Sequence, residues 1–352
     1  MKQVIARVAS AALVALALSA CSGGSEPAND DDAGVKIRVS GAGATFPQPL
    51  YERWIGAYHD LHPEVAFSYE GVGSGAGIQR FLAQEVDFAA SDAAMSDDDL
   101  AKVGDRGALM VPVTAGMVVL AYNLPGFDGL QLSREAVVGI FSGDIRSWND
   151  ARIQDTNPGA ILPNKTVTPV VRRDSSGTTF VLTNHLSSVS EWWRTAGPGT
   201  SKRIDWPGNA MEVNYNEGVA QRVKVSQGSI GYMEYQFARR LGLQIMILEN
   251  KAGEFVSPAP DAGTAALASA EDIPDDLRVF VPDPPGAGAY PIVSYTWLLL
   301  YGTYSDPSKA SVLKDAVIWG LTNGQTIAEE MGYIPLPAQM VALARDKVDS
   351  IN

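Results

Sequence analysis

Short hydrophobic runs alternate along this chain with longer segments whose apolar residues recur at helical spacing. Residues 65–69 and 166–171 are rich in β-branched and aromatic residues, a composition that favours strands. In residues 50–58, by contrast, the apolar positions fall at the three- and four-residue intervals of one helix face. The alternation of these two patterns predicts an α/β architecture.

The same two patterns predict most of the later elements. We expect strands over residues 86–90, 109–113, 117–123 and 292–301, and helices over residues 132–141, 217–225, 308–322 and 324–331. Two regions show neither the helical spacing nor the strand composition. Residues 189–193 and 196–208 are predicted to be irregular, and residues 252–285, which are polar and rich in Pro and Ala, are predicted to form a long surface excursion.

Three predicted strands run through a turn rich in glycine and hydroxyl groups into a helix, at residues 41–47, 71–77 and 172–178. The start of a helix leaves backbone N–H groups unpaired and carries a partial positive charge. The third turn adds Arg172, whose planar guanidinium suits an oxyanion, and Asp174, which could hold that guanidinium in place. The turns predict an anion-binding site, although ordinary helix caps beside a surface arginine would show the same residues.

Asp92 follows the strand predicted over residues 86–90, and so lies at the edge of a sheet where ligands of open α/β sheets collect. An Asx turn is the alternative use of an aspartate at such a position. Residues 71–76 also match G-x-G-x-x-[G/A], and Asp92 follows by about 20 residues, as in a dinucleotide site. An exported chain, which the N-terminus predicts, would rarely meet a nicotinamide cofactor.

The N-terminus has the pattern of an export signal. Lys2 and Arg7 precede an apolar segment at residues 8–18, and small residues then lead to Cys21. The pattern resembles a bacterial lipoprotein signal, with residues 1–20 removed and Cys21 lipidated, ahead of a flexible acidic linker at residues 21–34. A plain signal peptide is the alternative. Cys21 is the only cysteine, so no disulfide can form within the chain.

Composition narrows the partners. The 352 residues suffice for two α/β domains, and 46% apolar with 19% charged residues is typical of a globular protein. A net charge of −13 argues against nucleic acid, which requires a basic face. A small anion needs only local donors, which helix N-termini supply.

Five segments, in this order, resemble the substrate-binding proteins of phosphate ABC transporters, the PstS type: residues 41–47, 71–75, 86–92, 172–178 and 228–235. The resemblance covers nearly all of the chain after the linker. It implies the type II periplasmic-binding-protein fold, in which two α/β domains close over one phosphate. Residues 35–118 with 296–352 would form the first domain and residues 119–295 the second, joined by crossover strands near residues 118–123 and 292–299.

The resemblance also implies a ligand set: Thr45, Phe46 (through its backbone N–H), Ser74, Asp92, Arg172, Ser176, Gly177 and Thr178. Asp174 would orient the arginine. Arg173 remains open as the ligand, because the family often has Gly where Ser175 stands and some members carry an extra residue between the arginine pair and the Asp. Neighbouring side chains on a strand face opposite ways, so only one of the two arginines can reach the ligand. The implied protein is a non-enzymatic, high-affinity phosphate carrier for import. It would be a monomer without metal or cofactor, lipid-anchored to the cell membrane on its outer side, with an ABC permease as its partner.

Asp92 bears on which anion is bound. Phosphate at neutral pH still carries a proton that a carboxylate can accept, whereas sulfate carries none and would face a like charge. Binding of another oxyanion, such as sulfate, molybdate or a phosphonate, is the first alternative. The second is an exported phosphatase with Ser176 as nucleophile, which would need a base or metals. The candidate bases are His59, His62 and His185.

Overall fold

A computed structural model describes residue 34, residues 36–270 and residues 272–352. The predicted signal peptide, Cys21 and all but the last residue of the linker lie outside the described residues. None of the helices in the described ranges is long and apolar enough to cross a membrane.

The strands of the described part are β1 (Ile37–Gly43), β2 (Val65–Gly71), β3 (Phe88–Ser91), β4 (Ala108–Tyr122), β5 (Gln131–Leu132), β6 (Thr168–Arg172), β7 (Met211–Val213), β8 (Ser229–Glu234), β9 (Gln244–Ile245), β10 (Ile247–Glu249), β11 (Phe255–Val256) and β12 (Val293–Tyr301). The helices are α1 (Gln48–Leu61), α2 (Ser74–Leu82), α3 (Asp97–Lys102), α4 (Arg134–Ser142), α5 (Ala151–Gln154), α6 (Gly177–Val189), α7 (Glu191–Thr195), α8 (Tyr215–Val225), α9 (Tyr235–Leu241), α10 (Pro260–Leu267), α11 (Pro307–Leu321), α12 (Asn323–Met331) and α13 (Ala338–Asp349).

One mixed sheet organises these elements, with the strand order β2-β1-β3-β12-β4-β8-β6-β7 and β9 added beside β4. β1 runs parallel to β2 and β3, and β6 runs parallel to β7 and β8. The central pair, β4 and β12, is antiparallel. Every residue of β12 is buried, as expected for a strand covered on both faces. The α/β architecture predicted from the alternation of patterns is confirmed.

β4 connects two halves of this sheet. Its residues 108–117 pair with β12, and its residues 118–122 pair with β8. We call β2, β1, β3 and β12 the first half, and β8, β6 and β7 the second half. The predicted boundary between residues 118 and 119 lies where β4 changes partner. The division into two domains itself stays a prediction.

The prediction of two separate strands over residues 109–123 is wrong, because one strand runs through Pro112 and Gly116. The register with β12 shifts between Thr296 and Trp297, so that Val113 is left without a partner opposite it. Such a bulge is where a sheet tolerates a proline, which has no N–H to donate.

Two further predictions need correction. The region expected to be irregular contains α7, which Ser190 caps by accepting the N–H of Trp193 at 3.2 Å. The expected surface excursion contains α10 and also buries Leu277, Val279 and Val281, which pack into the main core. In both places the apolar residues are few and are interrupted by Pro and Gly, so that neither the helical nor the strand period is visible.

Candidate anion-binding site

Thr45 and Phe46 lie in the turn between β1 and α1, and both are buried. Gly43, the last residue of β1, has φ +149°, and a Cβ there would lie 2.1 Å from the Ala90 carbonyl oxygen. Only glycine fits that approach between β1 and β3. The position before α1 is Pro47, without a side-chain cap, so the Thr45 hydroxyl is available to groups outside the helix.

Ser74 begins α2, directly after Gly73 with φ +88°. Its hydroxyl oxygen accepts the Gly177 N–H at 3.1 Å and the Asp92 N–H at 3.3 Å. Because Ser74 and Asp92 belong to the first half of the sheet and Gly177 to the second, this hydroxyl joins the two halves.

Asp92 follows β3 and is 1% exposed. The Thr296 hydroxyl donates to its Oδ1 at 2.8 Å. Its Oδ2 faces the second half, because a Cβ added to Gly177 would lie 2.6 Å from it. Burial raises the pKa of Asp92 to about 7, against the opposing effects of the Thr296 hydroxyl, the Arg172 charge and the Ser74 hydroxyl. At neutral pH this carboxyl group is therefore poised between accepting and donating a proton.

Arg172 is the last residue of β6 and is 2% exposed. Its Nε and Nη2 donate to the two carboxylate oxygens of Asp174 at 2.8 Å and 2.5 Å, so the guanidinium is held in one orientation. Burial acts to raise the pKa of Asp174, but the Arg172 contacts outweigh it and the pKa is lowered. Nη1 is left to face the Thr178 hydroxyl at 3.4 Å. Arg173 is exposed and donates to Asn214.

The turn after β6 brings Ser176, Gly177 and Thr178 to the start of α6, all buried. Ser176 is the cap of α6 and its hydroxyl oxygen accepts the Thr179 N–H at 3.1 Å. Its own O–H proton remains free to be donated. The predicted strand, turn and helix at this position are confirmed, and the turn lies opposite Ser74 and Asp92.

Asn216 is a site residue that the sequence analysis missed. It is completely buried near the start of α8. Its Nδ2 donates to the hydroxyl oxygens of Thr45 at 3.0 Å and Thr178 at 3.3 Å, so it connects the turns of both halves. Asn216 follows two residues after Asn214, which is an equally plausible helix cap. Nothing in the sequence shows which of the two asparagines lies in the site.

Thr296, the other missed residue, lies within β12, where a β-branched residue is expected for the strand alone. No local signal connects it with Asp92, which lies more than 200 positions earlier in the chain.

The histidines do not supply a base. His185 lies on α6 but is buried, and its Nδ1 lies 2.7 Å from the Pro282 carbonyl oxygen. Burial lowers its pKa to about 4. His59 similarly faces the Val65 carbonyl oxygen, and His62 lies near Glu64 at the end of α1.

The site as a whole combines many hydrogen-bond donors with one carboxylic acid. The donors are the guanidinium of Arg172, hydroxyl groups, and the N–H groups at helix starts, where the partial charge is positive. The exception is Asp92. Such a pocket can enclose a small tetrahedral anion, and its carboxyl group favours an anion that shares a proton with it.

Comparison with known proteins agrees with this geometry. A family model described as a PBP superfamily domain matches residues 23–317. The chain is 37% identical over 307 residues to a "Phosphate-binding protein PstS" of Pasteurella multocida, a match that covers 86% of this chain and 87% of the relative. It is 34% identical over 381 residues to a protein of the same name from Methanocaldococcus jannaschii, covering 100% and 96%.

A solved structure of a high-affinity periplasmic phosphate-binding protein with bound phosphate has the same fold. It superposes with a TM-score of 0.70 at 24% identity, over 88% of this chain and 93% of that one. This likeness confirms the periplasmic-binding-protein fold.

Proposed function

This chain belongs to the PstS phosphate-binding proteins of the PBP superfamily, and we propose that it binds inorganic phosphate between the two halves of its sheet and delivers it to an ABC permease for import. The members of the family that it matches over most of their length carry the name phosphate-binding protein. Those names describe binding proteins.

The proposed ligands come from both halves. Thr45, the Phe46 N–H, Ser74 and Asp92 would contact phosphate from the first half, and Arg172, Ser176, Gly177 and Thr178 from the second. The burial of these residues and the hydrogen bonds that join Ser74 to Gly177 and Asn216 to Thr45 support one shared site. We assign the arginine role to Arg172, since Asp174 orients it inward, and not to the exposed Arg173.

The observation that favours phosphate over other oxyanions as the ligand is a buried carboxyl group among hydrogen-bond donors. One proton between Asp92 and a dibasic phosphate satisfies both partners. Sulfate, which is fully ionised, would need Asp92 itself to be protonated. Molybdate raises the same difficulty. A phosphonate can share a proton, but its carbon substituent needs room beside residues that are nearly all buried.

The remaining expectations concern attachment. We propose that Cys21 is lipidated and tethers a monomer to the outer side of the cell membrane through the linker at residues 22–34, close to the permease. The small and polar residues around Cys21 support this.

Calorimetric titration of the purified protein with phosphate, arsenate and sulfate tests the proposal. Phosphate and arsenate, which carry the same charge and can share a proton with Asp92, should bind tightly. Sulfate should bind more weakly, most of all at about pH 8, where a carboxyl group with a pKa of about 7 is mostly ionised. Equal affinity for sulfate would contradict the role of Asp92. Failure of all three to bind would refute the function.

A further inference from the structure

A completely buried carboxyl group lies beside the candidate site, and none of the residues that the structure describes gives it a cationic partner. Glu234 is the last residue of β8 and has no exposed surface. Its Oε2 accepts the N–H of Gln236 at 2.8 Å, whereas Oε1 has no hydrogen-bond partner. Arg239, a guanidinium on the next helix, donates to the Met331 carbonyl instead. A buried carboxylate without a counter-charge is costly, and a neutral carboxylic acid is much less so.

Glu234 also lies where the two halves meet. Its backbone pairs with Val118, the residue at which β4 changes partner, and its N–H donates to Asn216 Oδ1 at 3.1 Å. From the first half, the side chain of Tyr333 interacts with the Glu234 carboxyl group. The Tyr333 hydroxyl in turn donates to the Phe46 carbonyl oxygen at 2.9 Å. Glu234 is therefore connected, through Tyr333, to the turn whose N–H we assign to phosphate.

We propose that Glu234 is a positioning residue that is a neutral acid when the halves are closed over phosphate, so that closure takes up one proton at Glu234. As an acid, it can donate its proton to the Tyr333 phenol oxygen, whose own proton is donated to the Phe46 carbonyl. The relay fixes the Phe46 peptide for the ligand. This inference rests on the proposed function, because it assumes that phosphate closes the two halves.

The groups that face Glu234 come from several elements. Asp92 follows β3, Tyr333 follows α12, Asn216 belongs to α8, and the N–H groups of Tyr235 and Gln236 belong to α9. Burial raises the pKa of Glu234 well above its ordinary value, and the charge of Asp92 raises it further. The Gln236 N–H lowers it, and Tyr333 would lower it only where its hydroxyl turned from the Phe46 carbonyl to Glu234.

Opening of the halves gives water access to this carboxyl group. A groove of about 590 Å³ already lies at the same boundary, lined by Gln236 and Met331 among others. In the open form the pKa of Glu234 should return towards the ordinary value of an exposed glutamate. Since closure raises the pKa, the contribution of Glu234 to phosphate affinity is fully present below the open-form value. It is lost as pH rises towards the closed-form value, by about tenfold per pH unit for one linked proton.

The test compares the phosphate Kd of the full chain and of Glu234→Gln between about pH 5.5 and about pH 7.5. Glutamine mimics the neutral acid, since its amide can donate to Tyr333 and accept from Gln236. The ratio of the wild-type Kd to the Glu234→Gln Kd should therefore rise with pH, by about tenfold per unit. The ionisation of phosphate itself cancels in this ratio. Glu212→Gln, an exposed residue on β7, is the control for loss of one negative charge, and its ratio should stay flat.

A flat ratio for Glu234→Gln with tight binding by both proteins overturns the inference and leaves the proposed function intact. No binding by the wild type refutes the function instead. Should Glu234→Gln fail to fold, proton uptake by the wild type decides. At about pH 8, where phosphate is dibasic, calorimetry in buffers of different ionisation enthalpy should show about one proton taken up per phosphate. Zero uptake overturns the inference.

Discussion

Two adjacent arginines show how far a single position on a strand changes the role of a side chain. Arg172 is buried and held by Asp174, whereas Arg173 faces solvent and Asn214. Sequence alone left both open, because the alternation of a strand separates the two side chains without saying which one faces inward. The burial of the end of β6 supplies the missing information.

We predict that Arg172→Ala weakens phosphate binding by about 2–5 kcal/mol, since it removes hydrogen-bond donors and a charge from a buried site. Arg173→Ala, the matched control, should change binding by less than about 1 kcal/mol. Titration calorimetry at one salt concentration measures both. The reverse order of the two effects would show that the motif was assigned one residue out of register.

Asp92 should determine selectivity more than affinity. Asp92→Asn replaces a group that repels a fully ionised anion with an amide that can donate or accept. We predict that the variant retains some phosphate binding and that its ratio of sulfate Kd to phosphate Kd is smaller than in the wild type. An unchanged ratio would place selectivity elsewhere in the pocket.

The same carboxyl group predicts a pH dependence for sulfate. Because burial raises the pKa of Asp92 to about 7, a growing fraction of Asp92 is protonated as pH falls below that value. A protonated Asp92 can donate to sulfate, so the sulfate Kd should decrease as the pH is lowered from about 8 to about 6. In Asp92→Asn this decrease should be absent. A sulfate Kd that is constant with pH in the wild type would contradict the prediction.

At the scale of elements, the site depends on how closely a helix start can approach the opposite half. Gly177 opens α6, and a Cβ there would lie 2.4 Å from the Ser74 hydroxyl oxygen and 2.6 Å from Asp92 Oδ2. Both atoms belong to well-packed residues that cannot move aside easily.

We therefore predict that Gly177→Ala weakens phosphate binding by at least about 100-fold, because the added methyl group overpacks this contact and keeps the halves apart. Gly218→Ala is the matched control: it also lies in a helix, and its Cβ would be 3.6 Å from Val213, an ordinary contact. It should bind phosphate normally and be slightly more stable. Normal binding by Gly177→Ala would show that close approach is not required.

The sequence predicted elements well where the pattern is local and poorly where distant parts decide. The strand, turn and helix units around Ser74 and Gly177 carry their signal within a few residues. The continuity of β4 does not, because a bulge opposite β12 accommodates Pro112. Asn216 and Thr296 were missed for the same reason. Their roles come from contacts with Thr45 and Asp92, which lie 171 and 204 positions away along the chain.

At the scale of the whole molecule, three short hydrogen bonds between described residues cross the site from one half to the other. Asn216 bonds to Thr45 at 3.0 Å, the Gly177 N–H to Ser74 at 3.1 Å, and the Gly75 N–H to the Ser175 carbonyl at 2.9 Å. Each is worth only about 0.5–1.5 kcal/mol net, since water replaces it on opening. The balance between open and closed forms is therefore small enough for a ligand that contacts both halves to shift it.

We predict that phosphate makes the protein more compact, because donors from both halves would meet on one anion while β4, which pairs with both halves, connects them. Small-angle scattering with and without phosphate should show a smaller radius of gyration in the bound protein. Gly177→Ala, which is predicted to resist closure, should show little change at the same phosphate concentration. If the wild type binds tightly with an unchanged radius, the pocket is preformed. In that case neither Glu234 nor Asp92 would be exposed to water between binding events, and a permease could not distinguish loaded from empty protein by the separation of the halves.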